Sequence, residues 1–161
     1  MRMRVALAAA LLLALSLLTG GTALATDDTD QHNDQALYFL SQLAEEKATF
    51  GEEQPQPGDQ VFFEEVVFES NADMDKGQRV GRVIGIVNFT VTGALVDVGV
   101  SFDDGADQLF YKGAFFLEDL PVRTFDLAVV GGTGQFEGAT GAATLTELNG
   151  TTTFVEVRLD D

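Results

Sequence analysis

The sequence predicts an all-β domain, built either as a closed up-and-down barrel or as a sandwich. Short segments rich in Val, Phe, Ile and Thr follow one another at hairpin spacing from about residue 60 to the end of the chain. Clusters of Gly, Asn and Asp separate these segments and supply turns. A hydrophobic content of 45% in 161 residues is enough for one domain with its own core.

Residues 1–25 have the composition of an export signal. Arg2 and Arg4 precede an apolar run over residues 5–18, and Ala23 and Ala25 form an A-x-A cleavage site. The apolar run is shorter than the roughly 20 residues that a membrane-spanning helix needs. We therefore expect a secreted or periplasmic protein that is cleaved after Ala25, with a flexible polar leader over 26–35 and a domain over 36–161.

The chain is strongly acidic, with 26 acidic and 9 basic side chains and a net charge of −17. Such a charge repels nucleic acid and offers no basic patch to an anionic membrane. We expect neither partner for the mature protein.

Metal and cofactor chemistry has little support in the sequence. The absence of Cys excludes disulfides, thiolate nucleophiles and zinc–cysteine sites. The single histidine, His32, lies in the polar leader and has no second histidine to pair with. We expect no bound metal and no cofactor.

The first element of the domain, residues 36–50, is ambiguous. Leu37, Leu40 and Leu43 fall at helical spacing, and Ala, Glu, Lys and Gln around them favour a helix. The same residues also alternate as a strand with two buried faces would. Local sequence alone slightly favours the helix. Pro55 and Pro57 then interrupt any regular element.

Every later element is predicted to be a strand. Asn149-Gly150 and the Asp103-Asp104-Gly105 turn are typical of hairpin connections. The predicted strands cover residues 61–69, 78–92, 95–102, 108–117, 123–130, 142–148 and 151–159.

The second of these strands is apolar on both faces, which predicts that a partner covers the outside of the sheet. One face carries Val83, Val87, Phe89 and Val91, and the other carries Val80, Ile84 and Ile86. One face of a closed barrel fills the interior, so the other must meet a ligand, the first segment or a second subunit. We expect a homo-oligomer, either a dimer or a trimer.

Three separated glycine-containing motifs occur in the sequence. The first is a glycine-rich corner, in which Gly131, Gly132 and Gly134 follow a strand and Gly138 and Gly141 come after Phe136. The second is the pairing of Gly58-Asp59-Gln60-Val61-Phe62-Phe63 with Val80-Gly81-Arg82-Val83-Ile84-Gly85-Ile86. The third is Lys112-Gly113 followed by the strand at 124–130. In this order, the three motifs resemble those of the allene oxide cyclase and dirigent-like barrel superfamily.

The resemblance spans roughly residues 36–159 and is that of a bacterial-type secreted member. It implies an eight-stranded antiparallel up-and-down β-barrel, often trimeric in the cyclases. It also implies that residues 36–42 form the first strand rather than a helix. The glycine corner is then structural, because glycines permit positive φ and close backbone approach at a sharp strand–loop–strand connection.

The reactive residues of that superfamily differ here. Glu65 stands where the plant cyclases have a water-binding Asn, and Val87 stands where they have a Cys. Phe115 replaces a pocket Tyr, and Thr140 replaces the Arg that dirigent proteins carry after the glycine corner. The resemblance therefore implies a fold and a small-molecule site, with the reaction left open.

Glu65 is the candidate catalytic residue. It alternates with Phe63 and Val67, so it is a carboxyl in an apolar cavity if that face points inward. Burial would raise its pKa and suit it either to act as a general acid or to orient a polar group of the ligand. In the alternative interpretation, at least one of Glu64 and Glu65 is simply solvated.

Other side chains would complete this site. The candidate ligand-binding residues are Phe63, Val67, Val87, Tyr111 and Phe115. Lys112 is a further polar candidate, and Arg82 either neutralises a cavity acid or lies on the rim.

Two functions follow from these observations. In the first, a secreted barrel binds a small apolar molecule, for example a fatty-acid-derived, terpenoid or aromatic compound, and guides its cyclisation or coupling. Any enzyme activity would then be of the isomerase or cyclase type, without metal or cofactor. In the alternative, an exported non-catalytic barrel oligomerises through its apolar outer face.

Overall fold

The computed structural model describes residues 36–50, 55–103, 105–116 and 124–160. The expected signal peptide, its cleavage site and the leader with His32 lie outside the described residues. In the described part of the chain, no helix is long or apolar enough to cross a membrane.

Eight antiparallel strands close into a barrel in which each strand pairs with its neighbours in sequence and β1 pairs with β8. This confirms the predicted fold class. The strands are β1 (Ala36–Ala48), β2 (Gln60–Glu69), β3 (Arg79–Phe89), β4 (Gly93–Phe102), β5 (Gln108–Phe116), β6 (Thr124–Thr133), β7 (Gly141–Asn149) and β8 (Thr152–Leu159).

Strand β1 is the element whose local sequence is misleading. Its 13 residues form a strand throughout, longer than the stretch over 36–42 that the resemblance implied. Phe39 pairs with Glu69 of β2 on one side and with Val155 of β8 on the other. Without β1, two strand edges would be left unpaired, and that requirement overrides a weak helical propensity.

Side-chain alternation fills the barrel with small and medium apolar groups. On β3, Val83, Val87 and Phe89 are buried, while Ile84 is 67% exposed on the outside. The expectation that Val91 shares the inner face is wrong, because β3 ends at Phe89 and Val91 is 80% exposed in the following turn.

The glycine corner closes the end of the barrel opposite to the β1–β2 connection. Strand β6 runs through Gly131 and Gly132, past the predicted end at residue 130, and a one-turn 3₁₀ helix follows at Gly134–Phe136. The ring of Phe136 is buried there, 5.4 Å from that of Phe102. Positive φ angles occur at Gly131, Gly134, Gly138 and Gly141, whereas Gly132 approaches the backbone of β5 closely.

Gly141→Ala is expected to destabilise the barrel by on the order of 3 kcal/mol. Gly141 has φ of +144°, and a Cβ there would lie 2.1 Å from the carbonyl oxygen of Arg158. Gly150→Ala is the matched control, because a Cβ at Gly150 has no atom within 4 Å. Urea unfolding followed by circular dichroism would measure both variants, and equal stability for the two would contradict this account of the corner.

Candidate functional site

A cavity of about 100 Å³ lies inside the barrel. It extends from the middle of β2 and β5 toward the end where β1 connects to β2 and β7 connects to β8. Its walls carry three acids, four aromatic rings, one hydroxyl and six aliphatic side chains. They are Glu46, Glu65, Glu147, Phe63, Tyr111, Phe115, Phe125, Thr153, Leu43, Val87, Val96, Val98, Leu145 and Val155.

Glu65 points into this cavity because it shares the inward parity of β2 with Phe63 and Val67. Glu64, the next residue back, is exposed on the outer face. The structure therefore has Glu65 half-buried and facing the cavity, and Glu64 solvated on the outside.

Ser41 of β1 donates a hydrogen bond from Oγ to Oε2 of Glu65. Ser41 is itself buried, with 1% of its surface exposed. Burial raises the pKa of the Glu65 carboxyl above its ordinary value, and the Ser41 hydrogen bond opposes that shift without cancelling it. Glu65 therefore holds its proton to a higher pH than a solvated glutamate does.

Tyr111 of β5 supplies a second buried polar group. Burial raises the pKa of its phenol well above the ordinary value, and the nearby charge of Glu65 raises it further. The phenol therefore stays neutral at physiological pH, where it can donate one hydrogen bond and accept others.

Phe63 fixes one wall of the cavity. Its ring lies against the backbone of Gly85 on the neighbouring strand, where an added Cβ would stand 2.0 Å from ring atom Cζ. The missing side chain at Gly85 thus makes the space that the ring occupies.

Five of the six residues singled out from the sequence line the cavity: Glu65, Phe63, Val87, Tyr111 and Phe115. Val67 is fully buried but is not part of the cavity wall. Lys112 lies outside, paired with Asp97 at 2.5 Å, and Arg82 is exposed on the outer face of β3.

Sequence reasoning missed two acids, Glu46 and Glu147, which lie near the β1–β2 and β7–β8 connections. We call this end of the cavity its mouth. A β-bulge in β1 between Leu43 and Glu45 shifts the register, so Glu46 turns inward although simple alternation from Leu43 puts it outside. Glu147 is on the same face of β7 as Ala143 and Leu145, so alternation along this strand could have shown that it faces inward.

A second, much larger concavity lies on the outside of strands β2 to β6, with a volume of about 1150 Å³. Its floor includes Gly99, against which the ring of Phe110 packs. Exposed apolar side chains line it, and Arg79 and Arg82 stand among them. The exposed apolar members are Phe62, Ile84, Phe110 and Val130.

No group of three or more His, Asp or Glu side chains in the described ranges is arranged to hold a metal ion. The interior offers a carboxyl whose pKa is raised by burial, a neutral phenol and largely apolar walls.

The buried carboxyl makes stability depend on pH. Because the folded-state pKa of Glu65 is raised, its contribution to stability is complete below the ordinary value of 4.5 and is lost as pH rises through the folded-state pKa. Glu65→Gln cannot lose it. Between pH 4.5 and the folded-state pKa, the free energy of unfolding of the wild type should therefore fall relative to that of Glu65→Gln, by up to about 1.4 kcal/mol per pH unit.

Urea unfolding at a series of pH values measures this difference. Glu64→Gln, with the same change of charge on the outer face, should show no such trend. If the free energies of unfolding of Glu65→Gln and the wild type differ by the same amount at every pH, the pKa of Glu65 is not raised in the folded state.

Neither a scan against protein-family models nor a search of the curated proteins finds a match. Solved structures do match. A pyocyanin demethylase superposes with a TM-score of 0.62 at 19% identity, covering 78% of this chain and 99% of its own. An exo-specific intermolecular Diels-Alderase superposes with a TM-score of 0.62 at 10% identity, covering 78% of this chain and 97% of its own.

A pterocarpan synthase dirigent protein gives a TM-score of 0.55 at 15% identity, covering 88% of this chain and 96% of its own. At these identities the likeness concerns the fold alone. It confirms at that level the resemblance seen in the sequence: the chain has the dirigent and allene oxide cyclase-like barrel fold.

Proposed function

We propose that this protein is exported, is cleaved after Ala25, and binds a small apolar molecule inside its barrel, whose cyclisation or coupling it guides. The observation that carries the proposal is the buried Glu65 carboxyl, held by Ser41 and set in an otherwise largely apolar cavity. Buried acids with shifted pKa values are concentrated at functional sites, because burying an unneeded acid costs stability.

Glu65 would act as the proton donor. In its protonated form it transfers a proton, or donates a hydrogen bond, to a basic heteroatom of the ligand, and it recovers the proton when the product forms. Tyr111 would hold a second polar atom of the ligand. The apolar walls would fix the conformation of the rest and keep water out.

The size of the cavity limits what can be enclosed. About 100 Å³ is small beside the 300 to 1,000 Å³ of usual ligand sites, so it has room for roughly one ring. A larger molecule would project through the mouth past Glu46 and Glu147, with its reacting part beside Glu65.

Similar barrels support this class of activity. The matching solved structures are named as a Diels-Alderase, a pterocarpan synthase dirigent protein and a pyocyanin demethylase. Each name describes that protein. The shared fold makes a ring-forming or coupling role the first one to test here.

A second candidate function rests on the outer concavity. In this alternative the protein is a non-catalytic exported structural barrel, and its apolar outer face joins copies into a dimer or trimer. The side chain of Ile84, 67% exposed at the middle of that face, is the observation that favours it. Assembly is also compatible with the first function.

Native mass spectrometry of residues 26–161, recovered from the host's medium and followed by denaturing extraction, tests ligand binding. We expect an assembly that carries a discrete apolar molecule. Glu65→Gln should slow conversion of that compound at least about a hundredfold, whereas Glu64→Gln should not change it. An empty protein that also takes up none of a panel of apolar probes would favour the structural barrel and exclude the binding function.

The same spectra test the outer face. Ile84→Asp places a charge at its centre and should weaken assembly at least about a hundredfold, giving monomers. Val91→Asp introduces the same charge at an exposed residue outside the concavity and should leave assembly intact. Assembly that survives Ile84→Asp would rule out this face as the contact.

A further inference from the structure

The cavity has one sign of charge. Three carboxyl groups, those of Glu46, Glu65 and Glu147, belong to its lining, and no Lys, Arg or His among the described residues does. The cations nearest in sequence to the lining residues are Lys47, next to Glu46, and Lys112, next to Tyr111; both are exposed, and neither belongs to the cavity wall. A ligand in this cavity therefore meets acids and apolar surface.

Aromatic rings add to the same preference. Phe63, Tyr111, Phe115 and Phe125 surround a space with room for about one ring. The negative face of an aromatic ring attracts a positive charge, and this attraction grows when water is excluded. Acids and ring faces thus favour the same kind of ligand.

We propose that the molecule bound in this cavity is a small organic cation, an apolar ring that carries a protonated amine, with its ammonium group near Glu65 and the mouth acids. This inference rests on the binding function proposed above and narrows its ligand class. In the complex with an ammonium group, Glu65 is in its charged form and orients the ligand, so the inference does not use its role as a proton donor. Two features of the lining carry it: all of its charged groups are acids, and four of its side chains are aromatic rings.

Other ligand charges fit less well. A carboxylate ligand, such as a fatty acid, would be repelled by Glu65 unless the two shared a proton. A neutral ring would fill the apolar space but would offer no positive charge to the acids of the lining. The net charge of −17 also raises the local concentration of cations around the whole protein.

Cation binding should be linked to proton release from Glu65. The titratable groups that share the cavity with it are Glu46 on β1, Tyr111 on β5 and Glu147 on β7, and none of them supplies a positive charge. The lining residues of β3, β4, β6 and β8 do not titrate. A bound ammonium therefore favours the charged form of Glu65, and binding tightens as pH rises through the pKa of the Glu65 carboxyl.

NMR titrations with three one-ring probes test the inference: benzylammonium, benzyl alcohol and benzoate. Methyl signals of Val87 and Leu145 report on the interior, and those of Ile84 report on the outer face. We expect benzylammonium to shift the interior signals with an affinity at least about tenfold above that of benzyl alcohol, rising with pH. Benzoate should bind most weakly.

Two variants assign the preference to Glu65. Glu65→Gln should abolish the pH dependence and most of the preference for benzylammonium over benzyl alcohol. Glu64→Gln, which changes the net charge equally from the outer face, should retain both. Full retention by Glu65→Gln would overturn the assignment.

The three probes distinguish the binding function from the cation inference with the wild type alone, so the test does not depend on the variants folding. Benzyl alcohol or benzoate binding inside as tightly as benzylammonium would overturn the cation inference and leave the binding function standing. Interior signals that respond to none of the three probes would overturn the binding function, and the cation inference with it.

Discussion

Closure of the sheet is the constraint on which the rest of this structure depends. β1 pairs with both β2 and β8, so no strand of the barrel has an open edge. Once the sheet is closed, alternation along each strand places successive side chains on the inside and the outside. A β-bulge reverses this order for the residues that follow it. The bulge between Leu43 and Glu45 is such a case, because it turns Glu46 toward the interior.

The interior that closure creates is a costly place for an acid. Glu65 has Ser41 as its hydrogen-bond partner, which recovers part of the cost, yet burial still raises the pKa of its carboxyl. Packing around it combines aromatic rings with aliphatic side chains, and the ring of Phe63 lies against Gly85. A carboxyl in such surroundings keeps its proton to a higher pH than a solvated one does.

The two concave surfaces of the protein differ in chemistry. The inner one is small, aromatic and acidic, and the outer one is broad and apolar, with Arg79, Arg82 and the Asp97–Lys112 ion pair around it. Strand pleating separates them, since neighbouring residues such as Glu64 and Glu65 face opposite sides. One sheet can therefore hold a small-molecule site and a face for assembly at once, and substitutions can address each without the other.

The sequence by itself determined the all-β class, the seven later strands and the shared face of Phe63, Glu65 and Val67, because each follows from local alternation and turn chemistry. That this face points inward was decided by the structure. The glycine motifs indicated the eight-stranded barrel. Only the tertiary structure decided that β1 is a strand along its whole length, because one of its two partners, β8, is at the far end of the sequence. It also decided the hydrogen bond from Ser41, the inward turn of Glu46 and the outward placement of Lys112. These depend on register across strands, and local sequence does not fix register.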